Sequence, residues 1–211
     1  MNSYASDHEQ WELIKAWWKA NGKMIVTVVV IAMAATYGFR YWEQRQQQQA
    51  EHASVLFEQL LVSESRGSKA VTNAISLNLE NHFTSTPYAS LAAMIEARNA
   101  IAVNQLDIAE QKLTWAMEHS ANKSLAQIAR IRAARVLLAQ NKPDAALTLL
   151  EKVDDDGFTA AINQAKANIY LQKGDKARAL EFYQAALKTI PATQAIHELI
   201  TTQEQQLPNS Q

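Results

Sequence analysis

Five histidines, a run of three aspartates and a pair of arginines are the side chains through which this sequence could do chemistry. His8, His52, His82, His119 and His197 are scattered along the chain. None stands with a carboxylate at the H-E-x-x-H spacing that puts two imidazoles on one helix face around zinc. Asp154-Asp155-Asp156-Gly157 invites a calcium loop. With Gly157 at the sixth loop position, however, the first is Lys152 and the twelfth Asn163, where acidic ligands are needed. The segment is therefore read as a turn. No G-x-S-x-G elbow, phosphate loop or G-x-G-x-x-G occurs. With no cysteine there is no thiol nucleophile, disulfide or thiolate metal site. The sequence thus predicts no catalytic residue, no cofactor and no metal. What remains is recognition chemistry, centred on Arg98 and Arg135.

Those arginines recur at one position of an internal repeat, so the repeat is the element that must position them. In its last unit Ala167, Tyr170, Gly174, Ala179, Tyr183, Ala186 and Pro191 stand at spacings 3, 4, 5, 4, 3 and 5. These are the signature positions of the tetratricopeptide repeat. The alanines let two helices approach closely while the tyrosines fill the space beside them. Gly174 supplies a left-handed cap, Asp175 caps the next helix and Pro191 ends it. The preceding unit is in register through Ala134, Leu137, Asn141, Ala146, Leu150 and Val153, with Lys142-Pro143 opening its second helix. The one before runs through Ala97, Ala100, Asn104, Ala109, Leu113 and Ala116, with Asp107 as cap. Asparagine tolerates the left-handed geometry that glycine supplies in the last unit.

In such repeats the first-helix positions 2, 5, 9 and 12 line the concave face. Here they are Leu91, Met94, Arg98 and Ile101; Ile128, Ile131, Arg135 and Leu138; and Ala161, Gln164, Asn168 and Leu171. One account makes the apolar members core and the arginines a solvated edge. The other makes a protein-binding groove that buries an apolar stripe of a partner while the arginines pair with its carboxylates.

Ahead of the repeats, Met24 to Phe39 carries no charge. Sixteen helical residues rise about 24 Å, and flanking Trp17, Trp18, Tyr41 and Trp42 extend the span towards the roughly 30 Å of a bilayer core. Lys15, Lys19 and Lys23 precede the span and Arg40 and Arg45 follow it, a bias that favours a cytoplasmic N-terminus. Trp11, Ile14 and Trp18 form a stripe fit for a short helix lying on the membrane. Ala32-Met33-Ala34 has the spacing of a leader cleavage site, so a cleaved, soluble form stays as a rival. The long, mixed-charge stretch before Met24, with three tryptophans, favours an uncleaved anchor.

The expected fold is all-α: a single N-terminal transmembrane helix followed by a tetratricopeptide-like helical repeat solenoid. Residues 1–23 form a cytoplasmic amphipathic segment and 24–42 the transmembrane helix. Residues 43–85 form a leading helical hairpin with Val55, Leu56, Leu60 and Leu61 as its apolar stripe. Residues 86–200 hold three repeats and 201–211 a polar tail. A net charge of −1 offers no basic face for nucleic acid, and nothing marks a small-molecule substrate.

The layout resembles the YfgM family of Gram-negative bacteria, ancillary subunits of the SecYEG translocon. The residues carrying the likeness are Trp17-Trp18-Lys19-Ala20-Asn21-Gly22-Lys23 before the span and Gly38-Phe39-Arg40-Tyr41-Trp42 after it. Ile131-Arg132-Ala133-Ala134-Arg135-Val136 and Leu171-Gln172-Lys173-Gly174-Asp175 extend it into the repeats. The resemblance implies a single-pass inner-membrane protein with its repeats in the periplasm. It would bind the SecYEG translocon and the membrane-anchored chaperone PpiD, and assist secreted chains as they emerge. The alternatives are a structural, oligomerising envelope scaffold without clients, and a cleaved soluble periplasmic repeat protein.

Overall fold

The computed structural model describes residues 3–189 and 195–205, and every element among them is helical. The chain divides between Gln49 and Ala50 into two compact units. The described residues of the first, from Ser3 on, are all helix, as part of α1 (Ser3–Ser65). Helix formation passes through Asn21-Gly22 without a break, so the membrane-surface segment is not a separate element. A glycine inside a helix costs only about 1 kcal/mol relative to alanine, too little to end it. Gly22 also makes room for Trp18, since a Cβ there would stand 3.2 Å from the indole nitrogen.

The uncharged run is long and apolar enough to cross a membrane. Val28, Ile31 and Met33 are each more than half exposed, so the run is apolar on its open faces. A helix of that kind is solvated by lipid. The hydroxyls of Thr27 and Thr36 donate at 2.8 Å to the carbonyls of Lys23 and Ala32. Both are thereby satisfied inside the helix, as a hydrocarbon environment requires.

In the second unit, Ala53 and Leu60 of α1 join Leu79 of α2 (Lys69–His82) and Ala89 and Ala92 of α3 (Pro87–Ala102) in one buried cluster. The Ser63 and Thr72 hydroxyls meet at 2.7 Å beside it. The stripe expected on α1 is shifted: Leu56 and Leu60 turn inward, but Val55 and Leu61 are exposed. Ala53 and Phe57 take their places, because 53, 56, 57 and 60 share one face at 3.6 residues per turn.

Three helical pairs follow: α3 with α4 (Leu106–His119), α5 (Lys123–Ala139) with α6 (Pro143–Leu149), and α7 (Thr159–Gln172) with α8 (Lys176–Lys188). At the turn of each pair the left-handed residue stands where the sequence places it, Asn104 at φ 58°, Asn141 at 61° and Gly174 at 79°. The next amide reaches five residues back in all three: Gln105 to Ala100 at 2.8 Å, Lys142 to Leu137 and Asp175 to Tyr170 at 2.9 Å. This closure satisfies carbonyls that a helix end leaves open. Alanines 97, 109, 116, 134, 146, 167, 179 and 186 are all buried where helices meet. Asp175 caps α8 by accepting the Arg178 amide at 3.0 Å; Pro191 lies outside the described residues.

Three local readings are corrected. Asp107 is not a cap: α4 begins at Leu106, and the Asp107 carboxylate instead accepts from the Gln140 amide at 3.0 Å. Val153 is no helix residue, because α6 ends at Leu149 and Val153 is exposed. Polar contacts, most of them half-buried, replace the missing turn. Arg130 holds Asp154 through two bonds of 2.6 and 3.1 Å, and Gln127 accepts the Asp154 amide at 2.7 Å. Ser124 donates to Asp155 at 2.5 Å, and Asp155 accepts the Gly157 amide. The third correction concerns the end of the chain. Helix α9 (Ala195–Gln205) runs five residues into the segment read as tail and buries Ile200 against α7 and α8.

Candidate protein-binding groove

Helices α3 and α5 are the first helices of neighbouring repeats, and a cavity of about 500 Å³ opens between them. From α3 come Leu91, Met94, Ile95, Arg98 and Ile101; from α5 come Arg132, Arg135, Val136 and Ala139. Phe57, Leu106 and Leu113 complete its wall. The floor is fixed by packing: Met94 is buried, and Leu91 and Leu106 pack against the α3–α5 core. Ile101, by contrast, is 45% exposed at the rim.

The three arginines differ in electrostatic state. Arg98 is spoken for, since its guanidinium meets Glu64 at 2.6 Å and Asn99 donates to the same carboxylate at 3.0 Å. Among the described residues Arg132 donates to the Met94 sulfur at 3.6 Å and has no ion pair, and Arg135 has no ion pair either. Burial lowers the pKa of the Arg135 guanidinium, and the Arg132 charge lowers it further. The first is the cost of partly desolvating a cation, the second the repulsion of a like charge.

Of the concave-face positions named from the sequence, the structure brings Leu91, Met94, Arg98, Ile101 and Arg135 together. The others do different work. Ile128 packs on the α3–α5 cluster, while Ile131, Leu138 and Ala161 belong to the α5–α7 core. Gln164 is nearly buried and donates to Gln203 of α9 at 3.2 Å, so α9 takes that part of the third repeat's face. Asn168 accepts from the Tyr183 hydroxyl, and Leu171 stays exposed apart from the cavity. Arg132, Ile95 and Val136 were missed. Arg132 and Ile95 are each one helical turn from a position that was named, so the i, i+3 and i+4 neighbourhood was the available signal for them; Val136, beside Arg135, carried no such signal.

Comparison with known proteins decides the affiliation. The tetratricopeptide repeat-like domain family matches residues 15–209. An ancillary SecYEG translocon subunit of Aggregatibacter actinomycetemcomitans is 34% identical over 87% of this chain and 90% of its own length. The chain belongs to this family. The ancillary SecYEG translocon subunit of Escherichia coli K12 is 27% identical over 95% of the chain and 96% of its own length. The subunit of the same name from Haemophilus influenzae is 29% identical over 87% and 90%. Ancillary translocon subunits with this repeat-like fold are not an enzyme family. The apolar N-terminal helix, present in a chain of this family, marks a membrane-anchored protein.

Proposed function

We propose that the chain is a single-pass, non-enzymatic protein-binding subunit of the SecYEG translocon. Its N-terminus lies in the cytoplasm and its repeats in the periplasm, where it works with a PpiD-like chaperone on secreted chains as they emerge. The lysine bias before the span supports this orientation. One observation carries the binding role: an apolar cavity of about 500 Å³ stands open between the first two repeats. Volumes of about 300–1,000 Å³ are those in which ligands are enclosed. The groove would hold apolar side chains of a partner segment, with Leu91, Met94 and Ile101 as its contact residues.

A photo-crosslinker at Ile101, in membranes carrying a stalled secreted chain, tests the reading. Adducts with that chain or with a chaperone partner are expected. The second reading, a structural scaffold, draws on a different surface. Val55, Leu61, Val62 and Val71 of the leading hairpin are 46–55% exposed, an apolar face suited to self-association. Self-adducts alone would favour that scaffold over the client-binding subunit.

A further inference from the structure

We infer that Arg132 and Arg135 form a seat for one carboxylate, so that the groove selects apolar peptide segments carrying an aspartate or glutamate. The inference rests on the groove reading above and names the chemistry of its occupant. The pair is set by the helix: residues three apart on α5 stand one above the other on one face, and both line the cavity. Neither meets a carboxylate among the described residues, whereas Arg98, on the opposite wall, is already neutralised by Glu64. Two unpaired guanidiniums at one cavity mouth repel each other, and an anion between them removes that cost. Guanidinium forks match the two oxygens of a carboxylate, and both arginines are exposed, so a carboxylate can reach them from solvent.

The adjoining wall sets the rest of the ligand. Leu91, Met94 and Ile95 are apolar, so a free anion would leave most of the cavity without a matching occupant. A carboxylate flanked by large apolar side chains fills both halves. Arg98, although named with Arg135 from the sequence, takes no part in this seat.

The test uses the full chain in nanodiscs of zwitterionic lipid and end-capped, labelled apolar peptides with glutamate, glutamine or lysine at the centre. The glutamate peptide is expected to bind about tenfold more tightly than the glutamine peptide. R132Q/R135Q should reduce it to the glutamine level, while R98Q leaves the ratio unchanged. R132E/R135E should prefer the lysine peptide, a reversal that loss of folding cannot produce. Equal binding of the glutamate and glutamine peptides would overturn the seat and leave an apolar groove. A ratio lost in R98Q rather than in R132Q/R135Q would also overturn it. Binding of none of the peptides would overturn the groove reading itself.

Discussion

Arg130→Ala should be among the most damaging single changes in the repeat domain. Arg130 is nearly buried, its side chain 5% exposed, and its partner Asp154 is 15% exposed. The two meet at 2.6 Å, and the Asp154 amide is held separately by Gln127. Removing one member of a buried pair leaves the other charge without compensation, at about 3–5 kcal/mol. Residual solvent access to Asp154, and Lys152 at 3.5 Å from it, place this case at about 3 kcal/mol. For a chain of this length that is about 6–12 °C in melting temperature, read by circular dichroism in detergent. A double-mutant cycle with Asp154→Ala should return most of the loss as coupling. The pH dependence has a fixed sign. Burial pushes the Asp154 carboxyl up, but Arg130 and Lys152 outweigh it, so its folded pKa lies below the ordinary carboxylate value. Its contribution is complete above the ordinary carboxylate range and disappears as pH falls through the lower folded pKa. The Arg130→Ala protein should lack that acid-side component. A loss below about 1 kcal/mol, the level of an exposed pair, would refute the view that these contacts replace the missing turn of α6.

Gly174→Ala should destabilise by about 1–2 kcal/mol, because nothing lies within 4 Å of the new Cβ and the cost is that of left-handed backbone alone. Gly174→Asn should recover much of it in the same urea titration, since Asn104 and Asn141 hold this conformation. Tyr183→Phe should cost about 1 kcal/mol in thermal melts through loss of the bond to Asn168, with no change in helix content. Protease added to spheroplasts should digest the repeats and spare a small N-terminal fragment; a domain protected until lysis would reverse the proposed orientation.

Features written in local sequence were legible; those made by distant residues were not. The left-handed positions 104, 141 and 174 followed from residue type and spacing, since one residue's backbone preference decides a helix end. The buried alanines followed in the same way, and the apolar span needed only its composition. The shortened α6 could not be read, because its substitute joins Ser124, Gln127 and Arg130 to Asp154 and Asp155 over more than twenty residues. No periodicity announces such a contact. The reach of α9 was hidden for a related reason. Its polar residues read as tail, yet Gln203 and Glu204 bond Gln164 and Gln184 of the last repeat.

The groove shows how equivalent positions acquire different roles. Arg98, Arg135 and Asn168 occupy the same place in three successive repeats, and the fold presents each on a first helix. Arg98 is neutralised because α1 brings Glu64 within 2.6 Å. Asn168 is consumed because the following helix places Tyr183 against it. Arg135 has no ion pair among the described residues, and Arg132, one turn away, meets the Met94 sulfur but no carboxylate. Repeat geometry therefore fixes where a side chain stands, while the neighbour packed against it decides whether it can serve a ligand. Here Glu64 of α1 pairs the first side chain and Tyr183 of α8 the third, while Arg135 of the second repeat has no ion pair among the described residues.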